Sequence, residues 1–259
     1  MGNVYKAVRG ERYAVVKILK ESPLDEEREE KIARFWREAR MLMEIDHPNI
    51  IKMLDVGTFE QAHFLIMEYF PGEGLDKVLK RDGRITYREA VEIGMKVASG
   101  MQVAHVQGLI HRDLKPSNIL YDLQTKLLKI IDFGTAKKMQ VEQSITQQGY
   151  VVGTPYYMSP EQCQGFILDH RCDIYCLGAT FYHLVTGSVP FQKADAMQTL
   201  YAHVYEPVPW PPAYYRLVPP RIRQVIDRMM AKKPEERFSD MGEVVHDLSS
   251  FLANGNFLS

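Results

Sequence analysis

Residues 111–134 read HRDLKPSNILYDLQTKLLKIIDFG. Two short apolar runs, 119–121 and 127–131, flank the polar stretch Asp122-Leu123-Gln124-Thr125, the pattern of a β-hairpin. A hairpin brings its open ends together, so this one predicts Asn118 beside Asp132. Asp113 lies five residues before Asn118, on the loop that enters the hairpin. Two carboxylates and a carboxamide converging at one sheet edge suit a hard, oxygen-loving cation such as Mg2+, which keeps some waters and takes phosphate oxygens as further ligands.

Outward from this hairpin the chain divides in two. On the N-terminal side, residues 3–20 alternate apolar and polar residues around Arg9-Gly10, predicting another hairpin. Residues 23–45 place Ile32, Phe35, Trp36, Ala39, Leu42 and Met43 at helical spacing. His47-Pro48-Asn49 ends that helix, because proline disfavours helix in the residue before it. Residues 50–69 read as two more strands, and the FPGEG stretch at 70–74 marks a boundary between lobes. The first lobe is therefore 1–69, β-rich with one helix, and the second is 70–259.

Beyond the boundary, helices are expected at 75–80, 87–107, 169–186, 194–204, 221–230 and 241–252. The helix from Asp169 carries Ile174, Tyr175, Cys176, Leu177, Phe181, Tyr182, Leu184 and Val185 around most of its circumference, so it belongs in the middle of the lobe. The proline-rich stretch 206–220 reads as a connecting loop in which Trp210 and the tyrosines pack locally, or as a polyproline ligand for a partner.

Composition narrows the function classes. A chain of 259 residues with 46% hydrophobic and 25% charged residues is ordinary for a globular protein, and a net charge of −1 points to neither nucleic acid nor an anionic membrane. No apolar run approaches the roughly 20 residues that span a bilayer, and no signal peptide is read, so no membrane contact is expected of this chain. Cys163, Cys172 and Cys176 lack CxxC spacing, which fits reduced thiols and a cytoplasmic location.

Five motifs in order carry a resemblance: Gly2-x-Val4, Ala14-Val15-Val16-Lys17, His111-Arg112-Asp113-Leu114 with Asn118, Asp132-Phe133-Gly134, and Ser159-Pro160-Glu161. Together they resemble the eukaryotic-like serine/threonine protein kinases, most closely the bacterial ones, through essentially the whole chain. The resemblance implies a bilobal α+β fold, ATP and Mg2+ (Mn2+ as an alternative) as cofactors, and protein substrates. It makes Asp113 the acceptor of the substrate hydroxyl proton, with Asn118 and Asp132 as metal ligands. Lys17 would meet the ATP phosphates and Glu38, whose helical neighbours Phe35 and Leu42 turn it inward; a surface pair of Glu38 with Arg34 is the other reading.

The same resemblance makes Lys115 the residue that steadies the transferred phosphate. Glu68-Tyr69-Phe70 becomes the adenine-binding hinge, Met67 its gatekeeper, and Gly2, Val4, Val15 and Leu120 further nucleotide contacts. Leu42, Met53, His111 and Phe133 would stack as an apolar column between the lobes. Asp173 would anchor the catalytic loop, and Arg237 would pair with Glu161. Lys115 and Thr154 imply serine/threonine specificity. Arg112 would meet a phosphorylated activation segment, with Ser144 and Thr146 as its hydroxyls.

One departure stands out. Gly2 matches the last glycine of the family's phosphate-covering loop, so the first two glycines and the strand before them are expected to be missing, weakening nucleotide binding and exposing a sheet edge. Val15 stands where the family prefers alanine. A kinase-fold interaction module without catalysis, and a small-molecule phosphotransferase, are the alternative readings; dimerisation is left open.

Overall fold

The computed structural model describes residues 3–18, 28–60, 62–133 and 155–253, with 28–31 and 34 described by their backbone alone. Gly2, Ser144, Thr146 and Thr154 lie outside the described residues. The fold is bilobal and α+β. In the smaller lobe β1 (Asn3–Arg9), β2 (Arg12–Ile18), β3 (Met53–Phe59) and β4 (Ala62–Glu68) form an antiparallel sheet of order β1-β2-β4-β3. Gly10 makes the β1–β2 turn at φ 62°, a left-handed conformation that glycine adopts without strain.

Helix α1 (Arg28–Glu44) turns Phe35, Ala39 and Leu42 inward, all buried. Met43, expected on that face, is exposed instead. One residue past Leu42 is a rotation of about 100°, which carries it off a narrow buried stripe.

The larger lobe begins with β5 (Glu73–Gly74), which pairs with β6 (Ile119–Tyr121); β6 in turn pairs with β7 (Leu128–Ile130). Helices α2 (Leu75–Asp82) and α3 (Tyr87–Val106) precede that hairpin. After it come α4 (Pro160–Cys163), α5 (Arg171–Thr186), α6 (Ala196–Tyr205), α7 (Pro220–Met229) and α8 (Met241–Ala253). The starts of α3 and α6 are capped as their sequences direct: Thr86 accepts from the Glu89 N–H and Asp195 from the Gln198 N–H. Helix α5 is buried almost all round, as its composition predicts. A Cβ at Gly178 would come within 2.7 Å of Met229 Cβ, so glycine is what lets α7 lie against α5.

The proline-rich stretch packs locally. Trp210 lies 5.0 Å from the Tyr182 ring and its indole N–H donates to Asp227 at 2.8 Å.

The two sheets join at a seam. Ile130 N–H donates to the Asn49 carbonyl at 2.8 Å, and Ile51 N–H donates to the Ile130 carbonyl at 3.0 Å. The segment before β3 thus pairs in parallel with β7. Gly100 of α3 sits beneath: a Cβ there would meet Ile130 Cδ1 at 3.1 Å and Ile50 Cγ1 at 3.3 Å.

Candidate active site

The 119–130 hairpin does what its sequence pattern requires. Ile131 N–H donates to the Asn118 carbonyl at 2.9 Å, placing Asn118 across from the residue before Asp132. The Asn118 side-chain amide donates to the Asp113 carbonyl at 2.7 Å and to Asp113 Oδ2 at 2.9 Å. Lys115 Nζ is 3.1 Å from the same Oδ2. Among the described residues, these two donors meet on the Oδ2 oxygen of Asp113.

The loop carrying Asp113 is anchored from below by α5. Asp173 accepts the backbone N–H groups of His111 and Arg112, both at 2.8 Å, through its two oxygens. His105, in the last turn of α3, reaches the same carboxylate at 2.9 Å. Full burial would raise the Asp173 pKa, but the hydrogen bonds from the His105 side chain and the His111 N–H hold it below the usual carboxylate range. Directly after the second anchored amide, Arg112 has φ 63°, a strained conformation for a side chain of its size. Asp173 holds that strained turn in place.

His111 links the loop to the hairpin. Its Nε2 is 2.9 Å from the Ile131 carbonyl, and its Nδ1 is 3.2 Å from the Asp113 N–H. A carbonyl only accepts, so Nε2 carries the proton and Nδ1 accepts. The His111 ring lies 4.9 Å from the Phe133 ring. Phe133, Leu42 and Met53 line a common cavity with Lys17, Met67 and Asp132. Of the expected apolar column, His111 and Phe133 are in ring contact, and Leu42, Met53 and Phe133 face one cavity together with Met67.

Above the cleft, cross-strand pairs put Val4 opposite Lys17, Val15 opposite Met67 and Lys17 opposite Leu65. Directly opposed residues share a sheet face, so Val4, Val15, Lys17 and Met67 lie on one surface. Lys6, opposite Val15, sets its ammonium 4.2 Å from the Tyr69 ring, tying β1 to the hinge segment 68–70. Leu120 and Phe70 are half-buried.

One expectation changes. Lys17 Nζ contacts Asp132 Oδ1 at 2.7 Å, whereas Glu38, turned inward and 8% exposed, has the Arg112 guanidinium 3.8 Å away. The charges expected to pair across the cleft as Lys17 with Glu38 are instead arranged as Lys17–Asp132 and Glu38–Arg112. Arg34, the alternative partner, has no described side chain.

The donor set fits Mg2+. With its amide nitrogen engaged by Asp113, Asn118 offers its carbonyl oxygen, and Asp132 is a half-exposed carboxylate bound by one ammonium. Among the described residues no group of three or more His, Cys, Asp and Glu gathers for a metal. A cation at Asn118 and Asp132 would complete its shell with water and phosphate oxygen, as Mg2+ does.

Protein kinase domains match this chain over residues 1–248. The chain belongs to the protein kinase domain family. It is 36% identical over 258 residues to a probable serine/threonine-protein kinase of Clostridium perfringens, covering 99% of this chain and 37% of the relative. The serine/threonine-protein kinase pkn3 of Myxococcus xanthus is 38% identical over 249 residues, 92% of this chain and 45% of the relative. PknA of Mycobacterium tuberculosis, also named a serine/threonine-protein kinase, is 37% identical over 249 residues, 93% of this chain and 56% of its own length. This kinase domain spans roughly two fifths to just over half of these relatives. No helix among its described residues is long and apolar enough to cross a membrane.

Around the site, the kinase domain contains residues that its motifs do not announce. Gln162 of α4 donates through Nε2 to the Arg112 carbonyl at 2.7 Å, while its Oε1 accepts from the Ser159 N–H at 2.9 Å. The spacing Ser159-x-x-Gln162 is a capping-box signature and could have located both the short helix and this side chain. His105 had no such signal; a histidine ending an amphipathic helix shows nothing of its partner 68 residues away. Glu161 and Arg237 pair as expected, through two contacts of 2.7 Å. The buried thiols of Cys172 and Cys176 are pushed well above their ordinary pKa by desolvation, so they behave as core hydrophobes.

Proposed function

We propose that this kinase domain transfers the γ-phosphoryl group of ATP to serine and threonine hydroxyls of protein substrates. The observation that carries this reading is the cluster in which Asp113 is held by both Asn118 and Lys115, with Asn118 hydrogen-bonded to the residue before Asp132. Asp113, fixed in direction by those two donors, orients the acceptor hydroxyl and takes its proton. Lys115, 3.1 Å away, supplies positive charge on the side where the phosphoryl group arrives. Lys17 exchanges Asp132 for the nucleotide phosphates, and Glu38 then receives Lys17. Mg2+ (or Mn2+) held by Asn118 and Asp132 would offset the charge of the transferring phosphates. Val4, Val15 and Leu120 sandwich the adenine, and the backbone of Glu68 to Phe70 reads its edge.

Regulation follows from the second charge pair. Arg112 stands 3.8 Å from Glu38 and its Nε is buried with no hydrogen-bond partner among the described residues. A phosphate on Ser144 or Thr146 would attract that guanidinium and free Glu38 for Lys17. Thr154 is assigned the hydroxyl contact to Asp113 that favours serine and threonine acceptors. The reaction is placed in the cytoplasm, where ATP and reduced cysteines coexist.

The test is phosphoryl transfer from Mg-ATP to a generic basic protein, with phosphoamino-acid analysis, for the chain and for Asp113→Asn. The expected result is phosphoserine and phosphothreonine, with the variant slower by roughly 10²–10⁴-fold while melting at the same temperature. Transfer that survives in Asp113→Asn, or phosphotyrosine as the main product, would contradict the proposal.

A further inference from the structure

The carboxylate of Glu68, the last residue of β4, sits behind the hinge rather than in the cleft. Its Oε1 accepts the Lys52 N–H at 2.9 Å and the Lys129 ammonium at 2.6 Å. Lys129 lies on β7 in the other lobe, and its ammonium also reaches the Ile50 carbonyl at 3.3 Å. Both side chains are partly withdrawn from water, 17% exposed for Lys129 and 32% for Glu68. One ammonium therefore ties together the end of β4, the segment before β3 and the strand β7, at the seam between the lobes.

The position of this tie along the chain matters more than its strength. Tyr69 and Phe70 follow Glu68 directly, and their backbone is the proposed adenine contact. Asp132 follows Lys129 by three residues and stands at the phosphate end. The Lys129–Glu68 pair thus joins the strands that deliver the two ends of the nucleotide site.

We infer that Lys129 is a positioning residue for nucleotide: through Glu68 it sets the spacing between the hinge and Asp132. The inference rests on the kinase reading above. Without the tie, the lobes sample more relative orientations, and only a fraction keep that spacing. Apparent nucleotide affinity falls by that fraction, while complexes that do form react at nearly the same rate. A pair that only added stability would lower the melting temperature and leave affinity alone.

The experiment compares the chain with Lys129→Met, Glu68→Gln and Lys129→Arg, by calorimetric binding of Mg-ATP and by transfer kinetics. Expected is a rise in Kd and in KM for ATP of roughly three- to tenfold in Lys129→Met, with kcat within about twofold, and a similar rise in Kd in Glu68→Gln. Lys129→Arg, which keeps the charge and the reach, restores affinity. Unchanged Kd in folded Lys129→Met overturns the inference, as does tighter binding. If the unaltered chain binds nucleotide without transferring phosphate, the kinase reading fails while the Kd comparison still decides this one. If it binds none, both fail.

Discussion

Two ion pairs in this kinase domain have the same length, 2.7 Å, and opposite characters. Arg237 and Glu161 meet in the interior of the larger lobe, with side chains 0% and 9% exposed. The guanidinium forks onto both carboxylate oxygens and also donates to the carbonyls of Ala231, Arg171 and Lys232. Lys17 and Asp132 meet in the cleft through a single contact, with side chains 13% and 41% exposed. Distance alone does not distinguish a permanent fastening from an exchangeable one. Multiplicity and water access do. A buried, bidentate pair has no competitor, whereas a half-exposed carboxylate bound by one ammonium can trade it for another partner at little cost.

The largest expected effect comes from breaking the interior pair. Arg237→Met leaves Glu161 buried without its cation, and should destabilise the fold by about 3–5 kcal/mol. Denaturant unfolding measures this directly; a loss below about 1 kcal/mol would erase the contrast with the cleft pair.

A second effect, confined to acid pH, concerns the surroundings of the interior pair. Tyr175, whose ring lies 5.1 Å from the Arg237 guanidinium, hydrogen-bonds through its hydroxyl to His203. Burial, aided by the Lys232 charge, lowers the His203 pKa to about 3. The unfolded chain binds a proton there near pH 6.5 and the folded chain does not. His203 therefore contributes nothing to the pH dependence above that value, and stability declines as pH falls from about 6.5 towards 3, by up to about 1.4 kcal/mol per pH unit. His203→Gln should flatten that part of the stability–pH profile, and an unchanged slope would show that His203 is not held neutral.

The smallest effect on stability is expected at the cleft. Lys17→Met should change unfolding free energy by less than about 1 kcal/mol. Phosphoryl transfer by the same variant should fall by at least about 10²-fold, because the phosphate counter-charge is gone. A variant that both unfolds easily and loses transfer would make the cleft pair structural after all.

The same contrast explains what could be read from the residues alone. The 119–130 hairpin was legible because its apolar runs and polar turn are local, and once it is drawn Asn118 and Asp132 must be neighbours. The buried helix α5 was legible from its composition. The Arg237–Glu161 pair came from the family resemblance, and the interior leaves it no alternative. The partner of Lys17 was not legible. Whether it faces Glu38 or Asp132 depends on the placement of α1 over the cleft and on the reach of Arg112, and no sequence period encodes either. The Lys129–Glu68 tie joins residues far apart in the chain with no pattern in common. Helix α4 is four residues long, too short for periodicity, and only its capping box marks it.

Gln162 has a consequence for reaction entropy. By holding the Ser159 N–H and the Arg112 carbonyl at once, it joins the segment around 159–163 to the catalytic loop. In the proposed reaction, an acceptor chain docked against that segment would be registered against Asp113 before any chemistry begins. Translational freedom would be surrendered on docking, not again at the transition state, and the acceptor hydroxyl would act at a high effective concentration.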